Sequence, residues 1–345
     1  MGSDAQTPLG TLVAGVRTLA LVGLAKNTGK TETLAALLRE HAAAGRPVGV
    51  TSIGRDGEQH DVIDARIDKP RVHLQAGDLV ATTGTLLRAS GVLHERLSQT
   101  GVRTPLGEVV LARMSQPGAV EVAGPSAATD LHAVGQEMLA LGVEQALLDG
   151  AIDRRAASSP AVADGLVMAT GAILSEDIDE VVRITRDAVD LVRLPEAADG
   201  APDPGVGRQV TLDRRLVLSA EPGEIGAMLR EHEHVSTLSI DGALSERFLE
   251  GLLAARSERA GRDLRVLVAD PTKVFLSRRG PRWYERQGLS IEVRRTIALK
   301  AITVNPLAPQ SHRFDSRQLR ELVAEAVPDT PVLDVLDDSY LALLK

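Results

Sequence analysis

The apolar positions of this chain come in short continuous runs, and most runs close on glycine or a polar turn. Thr18-Leu-Ala-Leu-Val22 is the first, the kind of run that a parallel sheet buries on both faces. After a glycine-bracketed loop, Glu32-Thr-Leu-Ala-Ala-Leu-Leu-Arg-Glu-His41 predicts a helix, with Gly45 as its left-handed cap. Pro47–Ile53 predicts the second strand and completes a strand–helix–strand unit. Shorter strands are predicted at Arg71–Leu74 and Asp78–Thr83, before a short helix.

From Gly107 the pattern alters. Gly107–Arg113 and Ala119–Ala123 flank Gln116-Pro-Gly118 and predict an inserted antiparallel β-hairpin. An amphipathic helix follows over Ala127–Leu141, with Leu131, Val134, Met138 and Leu141 on one face. Buried strands are predicted at Gln145–Asp149 and Gly165–Thr170, and a long helix at Asp177–Leu194. Pro195–Gly207, dense in proline, glycine and acid, reads as a linker. Beyond it, strands are predicted near Leu216 and at 236–240, 264–269, 291–295 and 301–304, with helices near 223–231, 246–261 and 316–327. The expected organisation is a flexible lead over 1–17, an α/β domain over 18–194, the linker over 195–207 and a smaller α/β domain over 208–345. Leu148-Asp-Gly-Ala151 and Ile240-Asp-Gly-Ala243 each follow an apolar run and hint at a duplicated unit.

The loop after the first strand carries the clearest chemistry. Gly23, Gly29, Lys30 and Thr31 satisfy the spacing G-x-x-x-x-G-K-[ST] between a strand and a helix, the context a phosphate loop requires. Backbone N–H groups of such a loop turn inward on a phosphate, and the helix N-terminus adds partial positive charge. The expected nucleotide contacts are Gly23, Lys26, Asn27, Thr28, Gly29, Lys30, Thr31 and Glu32. Lys30 is expected to reach the β- and γ-phosphates, and the Thr31 hydroxyl to sit on Mg²⁺.

Asp149 closes an apolar strand, where such proteins place a carboxylate beside the metal; a turn aspartate before Gly150 is the plain alternative. Asp56, after the second strand, is its rival or partner as a metal or water ligand, and also reads as the first half of an Asp-Gly turn. The catalytic candidates are therefore Lys30, Asp56 and Asp149, and the metal candidates Thr31, Asp56 and Asp149. His60 and Asp61 have no second histidine at ligand spacing and read as a solvated loop, while Asp270 before Pro271 reads as a turn. No Asn-Lys-x-Asp motif for guanine occurs, so the expected ligand is Mg-ATP on a P-loop NTPase fold, α/β with a mainly parallel sheet flanked by helices. Lys26 lies four positions before Lys30, one short of the place of a loop lysine that reaches across a dimer, and a homodimer stays open.

Composition narrows the partners. The chain is 43% apolar and 25% charged, ordinary for a globular protein. It has no apolar run of ~18 residues and no basic leader, so a cytoplasmic protein is expected. The absence of cysteine excludes disulfides, thiolate metal sites and a cysteine nucleophile. A net charge of −8 argues against a general nucleic-acid or anionic-membrane binder. That charge is uneven: from Lys273 to Lys300 eight Lys/Arg face only Glu285 and Glu292, which leaves −14 for the rest. The Arg278–Arg286 cluster with Trp283 and Tyr284 reads as a docking surface for an acidic protein, or as a plain solvated face. All aromatic rings lie from Phe248 onward, so the phosphate-loop half offers none to stack on a base.

Several phrases occur in one order over most of the chain: Gly23-Leu-Ala-Lys-Asn-Thr-Gly-Lys-Thr31, Thr51-Ser-Ile-Gly-Arg-Asp-Gly-Glu58, Thr104-Pro-Leu-Gly-Glu-Val-Val110, Ala123-Gly-Pro-Ser126, Asp149-Gly-Ala-Ile-Asp-Arg154 and Ala301-Ile-Thr-Val-Asn-Pro306. In these the chain resembles the phosphate-loop ATPase subunit of the lysine 5,6-aminomutase reactivase family. The resemblance implies an ATPase that restores an adenosylcobalamin enzyme by nucleotide-driven release of damaged cofactor. It implies as partner the cobalamin-dependent aminomutase, a second reactivase subunit, or both. Two other classes use the same loop: an ATP-dependent ligase or kinase of the dethiobiotin synthetase type acting on a small carboxylate, and a regulatory module that holds nucleotide without hydrolysing it.

Overall fold

The computed structural model describes residues 7–53, 71–151, 158–198, 210–212, 215–217, 221–231, 236–255, 263–309 and 311–343. The chain forms two compact units, Met1–Thr185 with Ile297–Lys345, and Arg186–Thr296. In chain order the first unit opens with α1 (Leu9–Leu12), β1 (Thr18–Gly23), α2 (Lys30–Ala43), β2 (Gly49–Ser52), β3 (Val72–Leu74), β4 (Leu79–Thr83) and α3 (Gly84–Ala89). It continues with β5 (His94–Thr104), β6 (Gly107–Met114), β7 (Gly118–Val120), α4 (Ala128–Ala140), β8 (Ala146–Ala151), β9 (Gly165–Gly171) and the start of α5 (Ile178–Val192), whose residues from Arg186 onward belong to the second unit. The second unit holds β10 (Val210–Leu212), β11 (Arg215–Val217), α6 (Pro222–Glu231), β12 (Thr237–Ile240), β13 (Leu244–Ser245), α7 (Glu246–Ala255), β14 (Leu264–Val268), β15 (Val274–Phe275), α8 (Pro281–Arg286) and β16 (Leu289–Val293). The chain then returns to the first unit as β17 (Ala298–Asn305), α9 (Ser316–Ala326), β18 (Val332–Leu333) and α10 (Asp338–Ala342).

The protein is α/β, with a large, mostly parallel sheet flanked by helices. Its order is β18-β17-β9-β1-β8-β2-β4-β6-β5. All pairings from β18 to β4 are parallel, and only β6 and β5 run against their neighbours. β1 lies at the centre and is buried along its whole length, as its uninterrupted apolar run predicts. Leu19, Leu21, Leu34, Leu37, Val50, Leu147, Val167 and Ala301 join strands and α2 in one apolar core. Each fully buried leucine in it contributes about 1.5–3 kcal/mol relative to exposure. The shared parallel direction gathers the carboxyl ends of β9, β1, β8 and β2 on one edge, where open α/β sheets bind ligands.

Two expectations are corrected. Gln116-Pro-Gly118 does not join a hairpin. β6 pairs antiparallel with β4 and β5, so the hairpin is β5–β6 turning at Pro105-Leu106, while β7 pairs with the distant β3. β5 escapes a sequence reading because it is a polar edge strand: Glu95, Arg96, Gly101 and Arg103 are exposed, and no apolar alternation marks it. The second correction concerns the division of the chain. The smaller unit stops at Thr296 instead of running to the C-terminus, because Ala298–Asn305 pairs in parallel with Gly165–Gly171 and so belongs to the main sheet. Within the smaller unit the sheet order is β11-β10-β12-β14-β16, with β12, β14 and β16 parallel. Among the described residues no helix is long and apolar enough to cross a membrane.

The C-terminal return is tied down by a polar network on α2. Tyr340, fully buried on α10, donates its hydroxyl proton to Glu40 Oε1 and accepts from Leu9 N at 3.0 Å. The same carboxylate accepts from Gly10 N at 2.6 Å, so it caps α1 as well. Burial, then the Glu40 hydrogen bond, push the Tyr340 phenol far above its ordinary value, so it remains a donor throughout the working pH range. Tyr340→Phe is expected to cost about 1.5–3 kcal/mol, the worth of a hydrogen bond to a charged group, read as a lowered denaturation midpoint at unchanged slope.

Candidate functional site

β1 delivers the chain to the loop at the centre of the carboxyl edge. Leu24 N donates to Ala169 O at 2.9 Å, extending the β1–β9 pairing one residue into the loop. The loop then curls on itself as Thr28 Oγ1, buried, donates to Ala25 O at 3.0 Å. Asn27 and Gly29 both have left-handed backbones, with φ of 63° and 88°. Left-handed residues alternating with their neighbours turn successive N–H groups into one concavity, the geometry of an anion nest. Gly23 and Gly29 are glycine for steric reasons. A Cβ on Gly23 would lie 2.5 Å from Thr28 Oγ1, and one on Gly29 would lie 2.9 Å from Asn305 Cβ.

Gly29 is also the N-cap of α2 and offers no side-chain acceptor to the first turn. Thr33 N already donates to Gly29 O at 2.9 Å, so the amides that precede it face the loop without a capping side chain. A fourteen-residue helix thus begins at the nest with its positive end toward it. Lys30 in its first turn reaches back across the edge to β8. Its Nζ lies 2.5 Å from Asp149 Oδ1, and both side chains are about a quarter exposed, at 23% and 24%. The contact is a close ion pair without hydrogen-bond angles: Asp149 Oδ1 is covered and accepts no hydrogen bond. Asp149 arrives there because β8 runs beside β1 in parallel register, Leu21 opposite Asp149.

The predicted residues are placed as follows. Lys30 and Asp149 are brought together. Thr31 is half-buried in the first turn of α2, while Lys26, Asn27 and Glu32 are exposed. Asp56, His60 and Asp61 lie outside the described residues. Asp270 is buried and caps the turn over Pro271–Lys273 by accepting from Thr272 N at 2.9 Å. No group of three or more His, Asp or Glu gathers for a metal among the described residues. Mg²⁺ bound with phosphate needs only one or two carboxylates. The hydroxyl of Thr31 and the carboxylate of Asp149, whose Oδ1 accepts no hydrogen bond, are donors of the right kind.

No family model, curated protein or solved structure matches this chain. The site therefore stands on its own geometry.

That geometry adds a residue that the loop motif does not contain. Asn305, the last residue of β17, donates from Nδ2 to Asn27 O at 3.1 Å and accepts from Leu307 N on Oδ1 at 3.1 Å. Thr303, two residues earlier, pairs its hydroxyl with that of Thr33 on α2 at 2.7 Å. The far end of the chain thus buttresses both the loop and the helix behind it. Its only sequence signal is an apolar run ending in Asn305-Pro306. Beside α2, a cavity of about 410 Å³ opens at Thr31, with Leu34, Leu38 and Val72 as apolar lining and Arg39, Arg71 and His73 as polar lining.

Proposed function

We propose that the chain is a P-loop ATPase that holds Mg-ATP on the loop from Gly23 to Thr31, in the manner of the aminomutase reactivase subunit it resembles. The observation that carries this reading is the pairing of Lys30 with Asp149 at 2.5 Å, at the mouth of a left-handed glycine loop that caps a long helix. The ammonium stands where phosphate charge would enter, and Oδ1 of the carboxylate beside it accepts no hydrogen bond. Lys30 would hold the β- and γ-phosphates, and Thr31 and Asp149 would hold Mg²⁺, which when bound neutralises developing phosphate charge. Mg-ATP would favour one state and hydrolysis release it, and the difference in affinity for a partner aminomutase between those states is what would drive release of damaged cobalamin in the cytoplasm.

Asn305 supports adenine as the base. Its amide gives one N–H to Asn27 and one lone pair to Leu307, and so keeps one donor and one acceptor for a base. Adenine presents the matching acceptor and donor at N7 and N6, whereas guanine presents two acceptors. Titration calorimetry with Mg-ATP and Mg-GTP tests this reading. ATP is expected to bind about tenfold or more tightly than GTP, within the about 1–3 kcal/mol of one bidentate amide–base pair. Asn305→Ala is expected to erase the preference. Absence of ATP binding would overturn the function, and equal affinity for GTP would overturn the role of Asn305.

The cavity at Thr31 favours a second reading, a ligase or kinase of the dethiobiotin synthetase type. Arg39 and Arg71 beside an apolar wall suit a small carboxylate. Stimulation of ATP turnover by small carboxylic acids, and not by a purified aminomutase, would decide for it.

A further inference from the structure

The smaller unit carries a basic surface that the nucleotide site does not use, and the structure sorts its charges into spent and unspent. Arg278 is held by Glu250 at 2.5 Å, and Arg282 by Asp190 at 2.6 Å. Arg294 donates to Ser239 Oγ at 3.1 Å. Arg279 and Arg286 are different. Both are exposed, and no carboxylate lies within ion-pair reach of either among the described residues. The Arg279 guanidinium lies 4.0 Å from the centre of the Trp283 ring. A guanidinium stacked on an aromatic face keeps its N–H fork open at the edge, the geometry that grips carboxylates in pairs.

The platform under this arginine is rigid. Glu246, buried on α7, accepts from the backbone N–H of Ser277, Arg278 and Arg279 at 3.1–3.2 Å, which fixes the turn that presents Arg279. Trp283 in turn packs edge-on against the fully buried Tyr284, ring centres 5.0 Å apart. Because the buried carboxylate is met mainly by backbone amides, the Arg279 side chain is left facing outward. Phe275, 45% exposed at the end of β15, is a large apolar side chain on the strand that leads into this turn. Acidic groups nearby are Glu250, engaged by Arg278, Asp190, engaged by Arg282, Asp187, which lies against Gly280 and is 3.8 Å from Arg186, and the exposed Glu285. Preorganised arginine and tryptophan with a neighbouring apolar side chain are the composition of a protein-interface hot spot.

We infer that the α8 face of the smaller unit is a docking surface for an acidic segment of a protein partner, with Arg279 and Arg286 as its anchors. Charge complementarity selects this occupant. The surface is positive within a chain of net charge −8, whose remainder would repel a polyanion longer than the patch. The inference is independent of the nucleotide reading, since no residue of the loop takes part.

The test is fluorescence anisotropy with a labelled Glu- and Asp-rich peptide bearing one aromatic residue, against the full-length chain. The wild type is expected to bind it, with affinity that falls as salt is raised. The doubly reversed variant Arg279→Glu/Arg286→Glu should bind at least about tenfold more weakly, in line with close charge pairs at interfaces. Arg279→Lys, which keeps the charge and loses the fork, should fall between. Unaltered circular dichroism and an unaltered melting curve establish that the variants are folded; if the reversal unfolds the chain, Arg279→Lys alone carries the comparison. No binding by the wild type, or equal binding by the reversed variant, would overturn the inference. Tighter binding of a single-stranded oligonucleotide of the same charge would overturn it in favour of nucleic acid. Self-association that the reversal abolishes would overturn it in favour of a second copy.

Discussion

Lys30→Ala is expected to lower ATP turnover by at least about a hundredfold, the usual loss when one preorganised charge-stabilising donor is removed. The ammonium is the one described side chain that the loop geometry brings against Asp149, at 2.5 Å. Nothing else in the first turn of α2 can replace it: Thr31 is neutral and Glu32 has the wrong sign. Lys30→Arg is expected to fail almost as badly, since a planar fork on a longer stem does not reproduce a compact point charge. Stability should change much less than activity. Both partners of the ion pair are about a quarter exposed, so its loss is worth about 1 kcal/mol after solvent screening. The measurement is phosphate release at saturating Mg-ATP together with a melting curve. Turnover retained in a folded Lys30→Ala protein would remove the loop from the proposed chemistry. Asp149→Asn serves as the complementary probe: it keeps the lysine, and with it nucleotide affinity, but weakens the donor set proposed for Mg²⁺.

The part of the site legible in the sequence is the part made by neighbours in the chain. Gly23, Gly29, Lys30 and Thr31 sit on one strand–loop–helix unit, so spacing alone brings them together, and the left-handed Gly29 is what that spacing requires. Asp149 was legible for a related reason. An apolar run closing on a carboxylate marks a strand end, and parallel neighbours put their ends on one edge. Asn305 was not legible as a site residue. It meets Asn27 only because β17 pairs with β9 after the whole smaller unit has intervened, and no local pattern encodes that return. A linker rich in proline and glycine marked one junction at Pro195–Gly207, but the return at Thr296-Ile297 has no such mark, so the expected C-terminal domain absorbed residues of the main sheet. The misplaced hairpin has a similar cause. Gln116-Pro-Gly118 is good turn chemistry, and turn chemistry does not say which strands a turn serves.

Glu246→Gln should give the largest loss of stability in the smaller unit, about 2–4 kcal/mol for leaving several buried donors facing an amide. The carboxylate is 7% exposed and accepts from three consecutive backbone amides, from Ser277 Oγ at 2.5 Å and from Tyr284 Oη at 3.4 Å. Glutamine offers one oxygen where two are used, and its NH₂ would point at N–H groups that have nowhere else to turn. The same site makes a prediction about pH. Burial by itself would raise the Glu246 pKa, but the hydrogen bonds from Ser277, Arg278 and Arg279 outweigh it and hold the group below the ordinary glutamate value of 4.5. A folded-state value below the unfolded one means that the carboxylate stabilises the fold fully above the unfolded pKa. That contribution is lost as pH falls through the lower, folded value. Wild-type stability should therefore decline through this acid window, and Glu246→Gln should lack that part of the decline, so the two curves converge toward low pH. Denaturation midpoints measured across the window give the comparison. Hydrogen exchange at the amides of Ser277, Arg278 and Arg279 locates the effect, with faster exchange expected in the variant at neutral pH. Parallel curves at all pH values would mean that the carboxylate has the same pKa in the folded and the unfolded chain, and the turn beneath Arg279 would then owe its rigidity to something other than charge.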